Sequence, residues 1–315
     1  MQVIDDLAGA KVHGPSLVTV GSYDGIHIGH QHLLRQMQAA ADQLGYHTSL
    51  VTFYPQPKAV LAPHLPVRYL TTPAEKIALL STLGLDLTAI LPFTPEMAHT
   101  PAAEFAQELV THLKLRQLWV GPDFALGRHR EGNIPTLRQI GQRLGFEVCV
   151  VQPLIRDGEV VSSTRVRHLL TRGEIRQATT LLGRYPGLTG QVIKGAQRGR
   201  LLGFPTANLS LLAERAIPAD GVYACFVWAD GTRYPAVTNI GIRPSFAGAE
   251  RTVEAYLLDF SGDLYGLDLK MEFVERLRPE IRFEKLDELV AQIRSDSRQA
   301  ATLLAQEPPI QPPKR

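Results

Sequence analysis

The chain has 315 residues, enough for two domains of ordinary size. Apolar residues make up 44% and charged residues 20%, and a net charge of +2 argues against nucleic acid or another polyanion as the main partner. Long apolar runs and a charged-then-apolar leader are missing, and the cysteines, Cys149 and Cys225, lie far apart. These features predict a reduced, cytoplasmic protein with no membrane span, no disulfide framework and no Cys/His metal site.

The first half alternates strand and helix signals. Strands are predicted at 17–21, 48–53, 87–92, 117–121 and 146–151, with helical patterns near 30–44, 73–83, 101–113 and 134–144. Alternation of this kind predicts a Rossmann-like α/β domain, a parallel sheet with helices on both faces. Ligands of such sheets bind outside the carboxyl ends of the strands. The segment Gly21-Ser22-Tyr23-Asp24-Gly25-Ile26-His27-Ile28-Gly29-His30 falls there, just ahead of a helix in which Leu33, Leu34, Met37 and Ala41 recur at helical spacing. A helix N-terminus offers unpaired N–H groups and the positive end of the dipole, which suits phosphate. Gly21, Gly25 and Gly29 allow close backbone approach, and the imidazoles of His27 and His30 can donate to phosphate oxygens during attack. The bland alternative is a pair of N-terminal-turn histidines without chemistry. Phe53-Tyr54-Pro55-Gln56-Pro57 and Gly121-Pro122-Asp123-Phe124-Ala125-Leu126-Gly127 follow two further strands.

Beyond Val151 comes Val161-Ser162-Ser163-Thr164-Arg165-Val166-Arg167, then an amphipathic stretch. Ser and Thr ahead of a helical run form an N-cap signature. Next to the histidine motif they also read as a second phosphate cradle, with Arg167 as a fixed cation one turn in.

Texture changes at Leu182-Gly183-Arg184-Tyr185-Pro186-Gly187. This places a boundary between a domain at 1–183 and another at 184–305. In the second, short β-branched or aromatic runs at 188–194, 222–228, 234–240, 252–259 and 268–276 predict a small antiparallel barrel or sandwich. Leu286, Leu289, Val290, Ile293, Ala300, Leu303 and Leu304 mark one closing helix. The tail from Gln306 to Arg315 carries four prolines and is expected to be disordered.

The second domain holds Lys194-Gly195-Ala196-Gln197-Arg198-Gly199-Arg200-Leu201-Leu202-Gly203-Phe204-Pro205-Thr206-Ala207-Asn208-Leu209. Gly195, Gly199 and Gly203 suit a loop over phosphates, with Arg198 and Arg200 nearby, although no Walker loop is present. In an extended chain the side chains of Thr206 and Asn208 point the same way, and such neutral oxygens suit Mg²⁺ bound with substrate phosphates. An ordinary turn is the bland alternative. In Arg251-Thr252-Val253-Glu254-Ala255-Tyr256-Leu257, Glu254 is a carboxylate within an apolar strand. It reads either as a general base for a hydroxyl nucleophile or as a plain surface glutamate.

The ordered set Gly-x-Tyr-Asp-Gly-x-His-x-Gly-His, Ser-Ser-Thr-x-x-Arg, Gly-Phe-Pro-Thr-Ala-Asn, Asn239-Ile240-Gly241-Ile242-Arg243-Pro244 and Thr252-Val253-Glu254 resembles the bacterial bifunctional riboflavin kinase/FAD synthetase family over residues 1–305. The resemblance implies two reactions. The barrel would phosphorylate riboflavin with ATP and Mg²⁺ to give FMN, with Glu254 as base, Thr206 and Asn208 as metal ligands, and Gly195, Arg200, Gly203, Pro205 and Asn239 lining the substrates. The first domain would join FMN to the AMP part of a second ATP, releasing pyrophosphate and FAD. His27 and His30 would act at the phosphates there, and Gly21, Asp24, Gly29, Asp123, Ser163, Thr164 and Arg167 would bind the nucleotide. Tyr54, Gln56 and Tyr256 depart from the common family pattern.

Rival readings are another adenylyltransferase with the same histidine motif, and a non-catalytic flavin- or nucleotide-binding sensor. The barrel argues against the first and the intact polar residues against the second. Partners are expected to be small molecules (ATP, riboflavin, FMN), with self-association left open.

Overall fold

The computed structural model describes residues 1–195, 199, 202–245 and 248–308. Contacts divide the chain into one compact unit ending at Ser163 and another beginning at Thr164.

The first unit runs β1 (Gln2–Ile4), β2 (Ser16–Val20), α1 (Ile28–Leu44), β3 (His47–Phe53), α2 (Pro57–Leu61), α3 (Pro73–Ser81), β4 (Leu87–Leu91), α4 (Pro95–Ala98), α5 (Ala102–Leu113) and β5 (Leu115–Val120). It continues with the small hairpin β6 (Ala125–Leu126) and β7 (Gly132–Asn133), α6 (Ile134–Leu144), β8 (Glu147–Val150) and a second hairpin, β9 (Ile155–Arg156) and β10 (Glu159–Val160). The main sheet is parallel, in the order β1-β4-β3-β2-β5-β8. Its predicted strands and helices fall where hydrophobic periodicity put them. The edge strand β1 and the short helices α2 and α4 escaped that reading, because so few residues carry no periodic signal.

Alternation along the strands explains the two-sided core. Val18 and Val51 face α5 and α6, packing with Phe105, Leu109, Leu113, Leu137 and Ile140. Their neighbours Leu17 and Leu50 face the other way, against Leu34, Met37 and Ala41 of α1 and Leu80 of α3. Successive strand side chains point to opposite faces, so a strand buried on both must be apolar throughout. Strand order reverses between β2 and β5, which opens a crevice at their carboxyl ends.

In the second unit, α7 (Ser163–Arg172) and α8 (Ile175–Leu182) precede a closed barrel. Its strands are β11 (Gly187–Ile193), β12 (Ala207–Ser210), β13 (Gly221–Ala229), β14 (Thr232–Ser245), β15 (Gly248–Leu257) and β16 (Asp268–Arg278), in the order β11-β12-β15-β14-β13-β16 with β16 back on β11. Tyr223, Cys225 and Val227 alternate with Val222, Ala224 and Phe226, and the latter set packs beneath Ala300 and Leu304 of α9 (Leu286–Ala305). A bidentate Arg278–Asp296 pair fixes α9 to β16.

The contact division falls ahead of the punctuation at Gly183. Helices α7 and α8 are built onto the barrel: Ala219 donates to the Leu170 carbonyl at 2.9 Å, and Arg176 of α8 pairs with Glu275 of β16 at 2.9 Å. The expected disorder of the tail needs correction at its start. Glu307 accepts from the Tyr185 hydroxyl at 2.5 Å and pairs with Arg176 at 2.5 Å. Burial, with Glu307 beside it, raises the Tyr185 phenol to about 12. Residues 309–315 lie outside the described set.

Candidate active sites

Helix α1 begins at Ile28 with His27 as its N-cap. The His30 N–H donates to His27 Nδ1 at 3.3 Å, so the ring proton of neutral His27 sits on Nε2. The rings of His27 and His30 stack at 3.6 Å and 17°, and Tyr23 lies 4.9 Å from His30. A side chain at position 29 would crowd the stack. A Cβ at Gly29 would stand 3.1 Å from His27 Nδ1 and 3.3 Å from the Val161 carbonyl.

The loop from Gly21 to His27 is held peptide by peptide. Gly21 donates to the Val51 carbonyl at 3.0 Å. The Ser22 carbonyl accepts from Thr52 Oγ1 at 3.0 Å and from Lys76 Nζ at 2.7 Å. Gly25 donates to Thr71 Oγ1 at 3.2 Å, and the Ile26 carbonyl accepts from Gln31 at 3.0 Å. Tyr23, Gly25 and Ile26 all have positive φ, a conformation that needs such support in Tyr and Ile. Burial pushes the Tyr23 phenol up, so its hydroxyl stays neutral beside Thr19.

Asp24, expected at the nucleotide, is buried behind the loop. It is 1% exposed, and its carboxylate accepts from Leu70 N at 3.0 Å and Thr71 N at 3.1 Å. It thus ties the loop to the segment before α3, and its backbone carbonyl accepts from Ser163 Oγ of the second motif at 2.8 Å. Thr164 and Arg167 lie in the first part of α7, in the second unit.

Two neighbouring cavities open at the switch point. A smaller one of about 240 Å³ is lined by Ser22, Tyr23, His27, Gly29, His30 and Gly121. A larger one of about 900 Å³ is lined by Phe53, Phe93, Phe105 and Phe124, with Gln56 and Asp123 at its walls. Val20, Gly21 and Ser22 border both. The aromatic wall was invisible in the sequence, since its residues come from four separate segments. Buried Lys76 was missed too, although it shares the inward face of α3 with Leu80, four residues on. Burial lowers its amine to about 8, against a raising effect from Asp24.

In the barrel, strand register assembles the second site. Glu254 on β15 stands opposite Asn208 on β12 and opposite Asn239 on β14. Residues directly opposite share a face, so these three side chains form one row. Thr206 Oγ1 donates to Glu254 Oε2 at 3.4 Å. Asn208 is 8% exposed, and a Cβ on Gly195 would come within 2.5 Å of its amide. Phe204 meets Tyr256 edge-on at 5.5 Å. A cavity of about 610 Å³ is bordered by Pro205, Thr206, Ala207 and Ala255, on the other face of the strands from Asn208 and Glu254. Gly203 has φ +85°, with nothing near its α-carbon that a side chain would strike. Asn239 spends one amide proton on Glu280, at 3.2 Å, a carboxylate that sequence reasoning did not single out. Arg198 and Arg200 lie outside the described residues.

Oxygen donors from Thr206, Asn208 and Glu254, set close together by the β12–β15 register, fit a Mg²⁺ ion that keeps several waters. Among the described residues no cluster of three or more His, Cys, Asp or Glu side chains offers a different metal site.

A family model described as FAD synthetase matches residues 10–165, and one described as riboflavin kinase matches residues 182–304. The bifunctional riboflavin kinase/FMN adenylyltransferase of Pseudomonas fluorescens is 38% identical over 295 residues, covering 93% of this chain and 94% of the relative. The enzyme of that name from Escherichia coli K12 is 36% identical over the same coverage. A crystal structure described as a macrolide-efflux protein from Streptococcus pneumoniae superposes with a TM-score of 0.87 at 30% identity, covering 95% of this chain and 98% of that one. No described helix here is long and apolar enough to cross a membrane. With a FAD synthetase domain and a riboflavin kinase domain on one chain, this protein belongs to the bifunctional riboflavin kinase/FMN adenylyltransferase family.

Proposed function

We propose that the barrel transfers the γ-phosphoryl group of ATP to the 5′-hydroxyl of riboflavin through the row Thr206, Asn208, Glu254 and Asn239, and that the first unit then adenylylates FMN at the His27/His30 crevice. The single observation that carries the kinase assignment is the register that sets Glu254 between Asn208 and Asn239. Glu254 takes the hydroxyl proton as the oxygen attacks the γ-phosphorus in line, and ADP leaves. Thr206 and Asn208 would hold Mg²⁺, which neutralises charge on the phosphate oxygens when bound. Asn239, oriented by Glu280, lies on the other side of Glu254 and borders the reacting groups. Gly195, Arg200, Gly203 and Pro205 belong to the segment that borders the nucleotide.

In the first unit a phosphate oxygen of FMN attacks the α-phosphorus of ATP, and pyrophosphate leaves. The phenylalanine-walled cavity suits an isoalloxazine ring, and the smaller cavity suits the nucleotide phosphates. Their shared border at Gly21 and Ser22 brings the two phosphates together, which supplies proximity. His27 Nε2–H, His30, and the amides at the start of α1, Gly29 among them, stabilise the charge that builds during attack. Asp123 sits at the wall of the flavin cavity. Ser163 closes this unit and opens the second phosphate motif, to which Thr164 and Arg167 also belong. The adenylyltransferase module is taken to run to residue 183 and the kinase module from 184 to 305, in a cytoplasmic enzyme.

The test is a chromatographic time course of riboflavin, ATP and Mg²⁺ with the purified chain. FMN rising first and FAD following is the expected result. Stoichiometric flavin binding with no product from riboflavin or from supplied FMN would overturn the reading in favour of a sensor.

A further inference from the structure

The structure assigns to Lys76 a positioning role in adenylyl transfer: its ammonium, anchored on the Ser22 carbonyl and Thr52 hydroxyl, turns the Ser22–Tyr23 peptide so that the Tyr23 N–H serves as a phosphate donor. The inference rests on reading the smaller cavity as the nucleotide-phosphate site.

Three groups close a triangle behind the loop. Lys76 Nζ donates to Ser22 O at 2.7 Å and to Thr52 Oγ1 at 3.0 Å, and Thr52 Oγ1 donates to the same carbonyl at 3.0 Å. Lys76 is 4% exposed, Thr52 is fully buried, and Asp24, 1% exposed, is the charge that acts on the amine. A buried lysine is costly, and one fully packed under a backbone carbonyl needs a reason. The peptide supplies it. The Ser22–Tyr23 bond is trans, so the Tyr23 N–H points opposite to the carbonyl and therefore away from Lys76. Among the described residues no acceptor pairs with that N–H, while its neighbours at Gly21 and Gly25 are both satisfied. Both Ser22 and Tyr23 line the smaller cavity, with His27 and His30. Tyr23 has φ +43°, a conformation that would relax without an anchor on the preceding carbonyl. A fixed positive charge on the carbonyl side also polarises the peptide, which strengthens its N–H as a donor.

The experiment uses the full chain in the reverse direction, FAD plus pyrophosphate giving FMN plus ATP, because pyrophosphate is a substrate of this site alone. Lys76→Met is expected to raise the KM for pyrophosphate about tenfold, with the KM for FAD within about twofold of the parent. Thr52→Val, which keeps the amine but removes one corner of the triangle, is expected to give a smaller rise of the same kind. The parent KM for pyrophosphate should climb as pH passes about 8, where Lys76 loses its charge, and this climb should be absent in Lys76→Met. Riboflavin phosphorylation by the same samples should be unchanged. An unaltered pyrophosphate KM in Lys76→Met overturns the proposal. So does an equal rise for FAD and pyrophosphate, which is the mark of general disruption. If Lys76→Met does not fold, an unaltered KM in Thr52→Val overturns it. A parent protein that forms no FAD from FMN and ATP overturns the underlying reading, and the proposal falls with it.

Discussion

Glu254 faces Asn208 directly across the β12–β15 pairing, and Thr206, two residues before Asn208, donates to its carboxylate at 3.4 Å. A base candidate and two candidate oxygen ligands are therefore brought together where β12 meets β15. A slip of a single residue would send Glu254 to the barrel interior, where Val253 and Ala255 now pack.

Glu254→Gln keeps the size of the side chain and removes its basicity. Riboflavin phosphorylation should fall by about 10²-fold or more. FAD formation from supplied FMN should continue at the parent rate. Equal loss of both activities would show that the two modules do not work separately.

Gly195→Ala should disturb the metal ligand rather than the base. The added methyl would meet the Asn208 amide at 2.5–2.7 Å, too close without movement. The Mg²⁺ concentration for half-maximal kinase activity should rise about tenfold, since one displaced ligand weakens the site. A titration of activity against Mg²⁺ checks this.

Gly29→Ala tests the stacked histidines. Its methyl would press on the His27 ring at 3.1 Å and on the rigid Val161 carbonyl at 3.3 Å. Adenylyl transfer should drop by at least about tenfold through misplacement of the ring, with the kinase untouched. Assays of both activities on one preparation separate this from a general folding defect.

Lys76 makes stability depend on alkaline pH. Its folded value is lowered from 10.5 to about 8, chiefly by burial. Between those values the unfolded chain binds the proton and the folded chain does not, so stability gains with rising pH there. Relative to Lys76→Met, the parent should gain up to about 3 kcal/mol between pH 8 and 10.5. Denaturant unfolding followed by Trp119 fluorescence, in a Trp228→Phe background, reads this out for the first unit. A difference that stays constant with pH would mean that Lys76 is not desolvated.

By itself the sequence determined the architecture and offered candidate polar residues for both sites. Strands buried on both faces, such as Leu17–Val20 and Leu50–Phe53, are apolar throughout, and the helices between them carry a clear 3.6-residue stripe. The barrel strands show themselves by β-branched and aromatic runs between turns, and His27, His30, Thr206, Asn208 and Glu254 sit in motifs short enough to read locally. Tertiary structure alone decided what those residues touch. Asp24 stands in its motif as a candidate ligand, and the fold sets its carboxylate beside the backbone N–H groups of Leu70 and Thr71. The phenylalanine wall, the Asn208–Glu254–Asn239 row and the Lys76–Thr52–Ser22 triangle each join segments that are distant along the chain. Local pattern reports which face of an element is apolar. Only the order and register of the strands report which faces meet, because they depend on non-local pairing that no window of sequence contains.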